Sequence, residues 1–241
     1  MSIPAADLAV PARVRALARG AAVSPVWING VGGVTCRTSD DRYIKVGPLH
    51  HETSMAAEAD RLRWAAPHTA VPDVLEVGDD GAEEWLVTRA LAGLSAVDPR
   101  WIAEPATAVR AIGEGLRALH EALPVAGCPF DWSVPTRIAN AAAGGIHVPD
   151  ALRSPPPVDV RVVCHGDACA PNTLLDADGR VLAHVDLGAL GVADRWADIA
   201  VAAMSTTWNY GPGWERALID AYGVAPDRER LSYYRDLWNA G

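Results

Sequence analysis

A stretch around residue 165 constrains the fold of this chain more than any other feature. A short apolar run ends in His165-Gly166-Asp167, and Asn172 follows Asp167 at a spacing of five. Two strand-like arms then flank an Asp-Gly turn, which is typical of a β-hairpin, and the far arm ends at Asp186. This hairpin would bring Asn172 and Asp186 together. Kinase-type phosphoryl transfer needs such an arrangement, in which one carboxylate faces the acceptor hydroxyl while an amide oxygen and a second carboxylate hold Mg²⁺.

Lys45 is the single lysine of the chain and lies on a predicted strand, residues 42–46, that follows the glycine-rich stretch 28–37. A chain that otherwise uses arginine but keeps a lysine here indicates a need for a compact point charge, as on phosphate oxygens. Glycines ahead of a strand let backbone N–H groups approach phosphates, although ordinary hairpin turns use them too. A chance surface lysine is the alternative interpretation.

The composition indicates which partners and which compartment are expected for this protein. Acidic residues outnumber basic ones by 30 to 21, and the net charge of −9 argues against a nucleic-acid partner and suits a cationic one, although solubility alone explains it as well. The four cysteines show no paired metal spacing and are interpreted as reduced thiols. We expect a cytoplasmic protein without a membrane partner, because no signal-peptide core or bilayer-spanning run is recognisable. An alternative is a zinc site formed by Cys164, His165, Cys169 and His184.

The loop 165–172, the run from Asp186 to Asp198, the segment 128–131 and the closing stretch 227–234 form one pattern. In this pattern the chain resembles the aminoglycoside O-phosphotransferases, which are antibiotic-resistance kinases. The resemblance covers most of the chain and is weak before about residue 42 and between about 134 and 158. It implies an α+β, bilobal, protein-kinase-like fold. The N-terminal lobe would hold an antiparallel β-sheet with one αC-type helix, and the C-terminal lobe would be mainly helical.

The order of predicted elements divides the chain into three segments. Residues 1–87 are expected to form a nucleotide-binding lobe, 88–93 a hinge, and 94–241 a catalytic and substrate-binding lobe. The main strands after Lys45 are predicted at 74–77 and 85–88. Helices are predicted at about 5–19, 52–65, 104–123, 136–143, 195–207, 214–222 and 226–238.

The predicted catalytic loop assigns a role to each polar residue around it. Asp167 orients the acceptor hydroxyl and accepts its proton, while Asn172 and Asp186 hold Mg²⁺. His165 packs and orients the loop, because Asp167 already occupies the acceptor position. Asp198, on the first turn of the following helix, ties the loop together by hydrogen bonds.

The resemblance also implies a nucleotide site in the first lobe, for ATP or GTP. Lys45 would contact the α- and β-phosphates and pair with Glu58, which is a better candidate than Glu52. Tyr43 lies on the same strand face as Lys45 and would stack on adenine, with a core tyrosine as the alternative. The adenine edge would face the backbones of Thr88 and Ala90.

The acceptor is expected to be a small, cationic antibiotic, and the protein a monomer or homodimer. The first choice is the 3'-hydroxyl of kanamycin- or neomycin-type aminoglycosides, with resistance as the outcome. The expected substrate-binding residues are Asn209, Asn239 and Gly241, whose terminal carboxylate would meet substrate amines.

Three departures from the kanamycin-type pattern keep other functions open. Ala189 replaces an arginine, Trp208 and Asn209 replace a pair of acids, and the tail 237–241 lacks the usual acids. A streptomycin-type 3''-phosphotransferase is therefore a competitor, as is a kinase of the same fold for another small hydroxylated metabolite or antibiotic. A catalytically inactive nucleotide-binding module is the alternative from another class.

Overall fold

The structure, a computed structural model, describes residues 8–49 and 54–240. The chain divides into two compact units. The first extends to Pro67 and takes in Pro72–Leu91, and the second comprises His68–Val71 and the chain from Ala92 onward. The segment 68–71 groups with the second unit, in which the His184 N–H donates to the Ala70 carbonyl oxygen at 3.4 Å.

The first unit contains a five-stranded antiparallel sheet and two helices. Its elements are α1 (Ala12–Ala18), β1 (Val23–Ile28), β2 (Val34–Thr38), β3 (Arg42–Pro48), α2 (Met55–Ala65), β4 (Val74–Asp79) and β5 (Glu83–Arg89). The strands stand in the order β1-β2-β3-β5-β4. Strand β3 is central, and its Lys45 pairs with Thr35 on β2 and with Leu86 on β5.

Helix α1 covers the sheet with an apolar face and is shorter than predicted. It begins at Ala12, after Pro11, whereas the sequence predicted a helix over residues 5–19; residues 5–7 lie outside the described part of the chain. Buried residues at helical spacing pack against buried strand residues. The cluster consists of Val14, Leu17, Ala18, Cys36, Ile44, Val46 and Val87.

Helix α2 begins with a side-chain cap. The Ser54 side chain accepts the Ala57 N–H at 3.2 Å, which satisfies one of the unpaired donors of the first turn. The predicted start at residue 52 lies outside the described residues. The buried face of the helix carries Glu58 between apolar neighbours, and this placement points its carboxylate inward.

The second unit is mainly helical and holds two small sheets, β6-β8-β9 and β7-β10. Its helices are α3 (Pro99–Ile102), α4 (Pro105–Ala122), α5 (Val134–Ala143), α6 (Trp196–Tyr210), α7 (Glu215–Tyr222) and α8 (Arg228–Asn239). Its strands are β6 (Leu94–Ser95), β7 (Arg161–Cys164), β8 (Thr173–Leu175), β9 (Val181–His184) and β10 (Gly191–Asp194). Short 3₁₀ turns occupy Asp150–Arg153 and Ala170–Asn172.

Two helices form the interior of the second unit. The apolar stripe predicted for α4 is buried, and α6 is buried along most of its length. Helix α6 runs three residues beyond the predicted end at 207, and Gly211 ends it with φ 86°. Helix α5 begins at Val134, two residues before its predicted start at 136, because Pro135 is tolerated in the first turn.

The antiparallel sheet of the first unit and the helical second unit confirm the predicted α+β class. Within residues 8–49 and 54–240, no helix is long and apolar enough to cross a membrane.

Candidate active site

Strand β7 leads directly into the loop of residues 165–172. The strand pairs antiparallel with β10 along its whole length, so its end is held in place. Gly166 adopts φ 87°, and a Cβ at this position would lie 2.2 Å from the Ala189 carbonyl oxygen. Only glycine combines this conformation with so close an approach of two backbones. The loop is therefore packed against the segment that follows Asp186.

Asp167 has one engaged carboxylate oxygen and one without a partner. Asn172 Nδ2 donates to the Asp167 carbonyl oxygen at 2.9 Å and to Oδ2 at 3.1 Å. The buried Oδ1 has no hydrogen-bond partner among the described residues. Burial raises the pKa of the Asp167 carboxyl and the charge of Asp186 adds to this, while the Cys169 thiol, His165 and Asn172 oppose it. Oδ1 is thus a buried acceptor atom that the protein's own donors leave unused among the described residues.

The β8–β9 hairpin places Asn172 beside Asp186, which are far apart in sequence. Thr173 pairs with His184 across the hairpin. The Val185 N–H then donates to the Asn172 carbonyl oxygen at 3.0 Å. Asp186 is the next residue, so both predicted metal ligands lie at the same end of the hairpin.

Asp186 adopts a left-handed backbone conformation, with φ 65°. This region costs most side-chain-bearing residues about 1–2 kcal/mol and is tolerated best by Asp and Asn. Strained backbone of this kind occurs preferentially at functional sites. The Asp186 side chain is exposed at the end of β9.

The oxygen donors of this hairpin fit magnesium. Asn172 uses its Nδ2 group on Asp167, and its Oδ1 accepts no hydrogen bond from the described residues, so this oxygen is available to a cation. Asp186 adds an exposed carboxylate. Mg²⁺ prefers one or two such protein oxygens and completes its shell with water and substrate phosphates.

A different group of potential metal ligands lies deeper in the second unit. The ligand atoms of His120, Cys164 and Asp198 lie within 4.8 Å of one another, and all three residues are buried. His120 and Asp198 are hydrogen-bonded at 2.9 Å, and the Cys164 thiol donates to the Asp194 carbonyl oxygen. These groups are therefore already engaged with protein atoms.

His165 is buried and holds the loop. Its Nε2 lies 3.0 Å from the Val185 carbonyl oxygen, and its Nδ1 accepts the Asp167 N–H at 3.3 Å. Because a carbonyl oxygen only accepts, Nε2–H is the donor in the bond to Val185. Both ring nitrogens are thus used within the loop and the hairpin.

Asp198 anchors the loop from the first turn of α6. Its Oδ2 accepts the His165 N–H at 2.5 Å and its Oδ1 accepts the Gly166 N–H at 3.0 Å. Burial favours the protonated acid, but hydrogen bonding from His120 and nearby charge keep the pKa of Asp198 below its usual range. Asp194 similarly accepts the N–H of Trp196, the first residue of α6, at 3.0 Å.

Ser205 is a loop contact that the sequence did not reveal. Its buried Oγ accepts the Ala170 N–H at 2.8 Å. Asn209 Nδ2 donates to the Ser205 carbonyl oxygen at 2.8 Å and to Oγ at 3.1 Å. Asn209, predicted to bind substrate, therefore has its amide nitrogen engaged inside α6. No motif signals this role, because Ser205 and Ala170 are 35 positions apart.

Lys45 in the first unit pairs with Glu58. Its Nζ lies 2.7 and 2.9 Å from the two carboxylate oxygens of Glu58. Both side chains are largely buried, with 24% and 10% of their surfaces exposed. The ammonium is therefore held in one position on β3. Tyr43, two residues earlier on the same strand, is partly buried.

The glycine-rich turn between β1 and β2 is occupied by one of its own side chains. Asn29 Oδ1 accepts the Val31 N–H at 3.1 Å and the Gly33 N–H at 2.6 Å. These are backbone donors of the kind that a phosphate would use. A phosphate at this turn would have to displace the Asn29 carboxamide.

The remaining predicted site residues lie near the end of β5 and at the end of α8, or outside the described residues. Thr88 is buried on β5 between Tyr43 and Val74, and the Ala90 N–H donates to the Asp41 carbonyl oxygen at 2.9 Å. A base contact at this segment would therefore use a carbonyl oxygen rather than the Ala90 N–H. Asn239 is the last residue of α8 and is exposed. Gly241 and Glu52 lie outside the described residues.

Comparison with known proteins places this arrangement in a family. A sequence profile of the phosphotransferase enzyme family matches residues 14–143 and 146–234. An aminoglycoside 3'-phosphotransferase of Streptomyces fradiae is 37% identical, over 80% of this chain and 83% of that protein. The streptomycin 3''-kinase of Streptomyces griseus is 35% identical, over 86% and 87% of the two chains.

The fold is shared as well. The structure of the aminoglycoside phosphotransferase APH(3'')-Id from Streptomyces rimosus, in complex with ADP and streptomycin, superposes with a TM-score of 0.71. The two chains are 28% identical, and the match covers 93% of this chain and 94% of that one. The predicted protein-kinase-like fold is thereby confirmed.

The profile match extends over nearly the whole chain, so the chain belongs to the phosphotransferase enzyme family. Within that family, the similarity to the Streptomyces enzymes confirms the resemblance to aminoglycoside phosphotransferases.

Proposed function

We propose that this protein transfers the γ-phosphate of ATP, with Mg²⁺, to a hydroxyl of an aminoglycoside and thereby confers resistance. The first choice is the 3'-hydroxyl of kanamycin- and neomycin-type compounds. One observation carries the proposal: a buried carboxylate oxygen of Asp167 without a partner lies in the same loop and hairpin as the oxygen donors of Asn172 and Asp186.

Asp167 supplies the position for the acceptor. Its Oδ1 would accept the hydrogen bond of the acceptor hydroxyl and later its proton, while Oδ2 stays bound to Asn172. The backbone bonds from His165 and Gly166 to Asp198 hold the loop in place before substrate arrives. Catalysis of this type depends mainly on positioning and on stabilisation of charge.

Asn172 Oδ1 and the Asp186 carboxylate would hold Mg²⁺. When bound, the cation neutralises charge on the transferring phosphate. The left-handed backbone at Asp186 directs its carboxylate from the end of the hairpin, and Asn172 is oriented by its own bonds to Asp167.

The first unit would bind the nucleotide. Lys45, held by Glu58, offers a fixed ammonium for the phosphates. Tyr43 and the backbones of Thr88 and Ala90 would contact the base, and residues 88–93 would serve as the hinge between the nucleotide lobe and the catalytic lobe. We place the reaction in the cytoplasm, because ATP is available there.

The acceptor would be a small, cationic antibiotic. The net charge of −9 suits a polycation. Asn209, Asn239 and Gly241 remain the candidates for contacts with the acceptor. Asn209 has only its amide oxygen to offer, since its nitrogen is bonded to Ser205.

A streptomycin 3''-phosphotransferase is the second candidate. The streptomycin 3''-kinase of Streptomyces griseus is nearly as similar to this chain as the Streptomyces fradiae enzyme, with 35% against 37% identity. The exposed Trp208 and the neutral Asn209 at the end of α6 also provide less negative charge than a kanamycin-type site would have.

The test is a coupled assay of nucleoside diphosphate release with a panel of acceptors. The panel contains kanamycin A, its 3'-deoxy analogue, neomycin, streptomycin and choline. Release with kanamycin A and neomycin but not with the 3'-deoxy compound supports the first choice, and NMR of the product locates the phosphate. Release with streptomycin alone selects the second candidate. Tight Mg-nucleotide binding without release in any reaction contradicts both.

A further inference from the structure

A chain of buried hydrogen bonds runs from α7 to the catalytic loop. The Tyr222 hydroxyl lies 2.8 Å from His120 Nδ1, and His120 Nε2 lies 2.9 Å from Asp198 Oδ2. Asp198 in turn accepts the backbone N–H groups of His165 and Gly166, the two residues immediately before Asp167. Tyr222, His120 and Asp198 are 4%, 6% and 0% exposed. Water therefore does not replace these bonds.

The chemistry of Asp198 defines the direction of the bonds that end on its carboxylate. Asp198 is an ionised acceptor, because two backbone N–H groups and the imidazole all point at its carboxylate. The proton of His120 therefore resides on Nε2. The Tyr222 hydroxyl is the hydrogen-bond partner of the other ring nitrogen, Nδ1. Burial raises the pKa of Tyr222, so its hydroxyl keeps its proton.

The contact between α4 and α7 is tight where these residues meet. A Cβ at Gly113 would lie 2.6 Å from the Leu218 carbonyl oxygen and 2.8 Å from the Ala221 Cβ. The rings of His120 and Tyr222 also meet edge to face, with centroids 5.6 Å apart. The imidazole is thus held both by packing and by its two polar contacts.

We propose that Tyr222 is a positioning residue for Asp167, which acts through His120 and Asp198 on the backbone of the catalytic loop. Tyr222 touches no reacting group itself. Its hydroxyl satisfies His120 Nδ1, so that the imidazole presents Nε2–H to Asp198 in one orientation. Asp198 then holds the His165 and Gly166 amides and, through them, the direction of the Asp167 side chain. The inference rests on the proposed function only for its kinetic readout.

The first test compares Tyr222→Phe with Tyr233→Phe. Tyr233 is a matched control, because its hydroxyl also makes one hydrogen bond, to the Leu152 carbonyl oxygen at 2.6 Å, and none to the loop among the described residues. We expect Tyr222→Phe to lower kcat on the order of 5–10-fold, the effect of one buried hydrogen bond, with nucleotide KM and Mg-ATP affinity unchanged. Tyr233→Phe should keep kcat within about twofold. A wild-type kcat in Tyr222→Phe overturns the proposal.

The second test is a double-mutant cycle with His120→Gln. Glutamine places an N–H near the position of Nε2 and can still donate to Asp198, but it has no counterpart of Nδ1 to pair with the Tyr222 hydroxyl. If Tyr222 acts through His120, adding Tyr222→Phe to His120→Gln leaves kcat unchanged. If the two losses multiply, Tyr222 acts independently and the proposal is wrong.

A third measurement needs no acceptor. Hydrogen exchange of the His165 and Gly166 amides should be faster in Tyr222→Phe than in the wild type and unchanged in Tyr233→Phe. Equal protection of these amides in the wild type, Tyr222→Phe and Tyr233→Phe overturns the proposal. This measurement does not need the His120→Gln variant, so it stands even if that variant does not fold. If the wild type phosphorylates no aminoglycoside, the proposed function fails while this measurement still decides the role of Tyr222.

Discussion

Asp167 combines two properties at the scale of one residue. It is held by Asn172 through Oδ2, and its Oδ1 is buried without a partner. A buried carboxylate oxygen without a hydrogen bond is unfavourable in a folded protein, and such exceptions are typical of catalytic positions. Burial also raises the pKa of this carboxyl, which makes it a better base than an exposed aspartate.

Asp167→Asn tests this assignment. The amide keeps the shape and can still accept from Asn172, but it cannot take a proton. We expect turnover to fall roughly 10²–10⁴-fold, with fold and Mg-ATP binding retained. Asp178→Asn in the exposed turn of the same hairpin is the control, since among the described residues the Asp178 side chain bonds to Arg180 alone. Near-normal turnover in Asp167→Asn would remove this residue from the chemistry.

Asp186→Asn separates charge from backbone conformation. Asparagine tolerates the left-handed conformation that Asp186 adopts at φ 65°, so the hairpin should survive. The metal site would lose its only proposed anionic ligand. Loss of a residue that only supports a metal ligand typically lowers metal affinity about 10–100-fold. Because Asp186 would be a direct ligand, we expect Mg-dependent nucleotide affinity to fall on the order of 100-fold. Calorimetric titration with and without Mg²⁺ measures this, and a Mg²⁺-dependence equal to that of the wild type would contradict the assignment.

At the scale of elements, the catalytic loop is defined by its contact with the segment after the hairpin. The Gly166 backbone lies against Ala189, so β7, the loop and the hairpin form one packed assembly. This explains why Gly166 precedes Asp167: a side chain there would separate the loop from residues 187–190.

Gly166→Ala and Gly127→Ala form a matched pair at this scale. Both glycines have nearly the same φ, 87° and 88°, but a Cβ at Gly127 meets nothing within 4 Å. The backbone conformation alone should cost Gly127→Ala about 1–2 kcal/mol of unfolding free energy. Gly166→Ala adds the clash with Ala189 and should lose more than ~3 kcal/mol or not fold. Equal urea midpoints for the two variants would show that the backbone near Gly166 moves far enough to accommodate a Cβ beside Ala189.

At the scale of the whole molecule, a buried neutral histidine should set part of the acid sensitivity. Burial lowers the pKa of His184 from 6.5 to about 3. Its Nε2 has no hydrogen-bond partner among the described residues. His184 therefore takes up a proton near pH 6.5 in the unfolded chain but stays unprotonated at that pH in the folded chain. The contribution of neutral His184 to the free energy of unfolding is therefore fully present above pH 6.5, and it decreases as the pH falls from 6.5 toward 3.

The measurement is urea unfolding against pH for the wild type and for His184→Gln. Below about pH 6 the wild type should lose close to 1.4 kcal/mol per pH unit through this residue, and the variant should lose correspondingly less. His147→Gln is the control, because His147 is exposed on the surface of the same unit. Parallel pH profiles for the wild type and His184→Gln would show that His184 is protonated in the folded protein.

The amino-acid sequence by itself determined the local parts of this protein. The spacing of Asp167 and Asn172, the turn before Asp186 and the single Lys45 together predicted a phosphotransferase, because they encode a loop, a hairpin and a point charge within short stretches. The apolar period of α4 was predictable for the same reason. Helix ends such as those of α1 and α6 were missed by several residues, because Pro11 and Gly211 decide them through backbone geometry.

Only the tertiary structure decided which distant groups meet. His120, Tyr222 and Ser205 carry no motif, and their partners lie 78, 102 and 35 positions away. The same holds for Asn29, whose side chain fills the turn predicted for phosphate, and for Asn209, whose amide is turned toward Ser205. Hydrogen bonding in a packed interior depends on which side chains the fold places within about 3 Å of one another, and a single sequence does not encode that proximity in any short pattern.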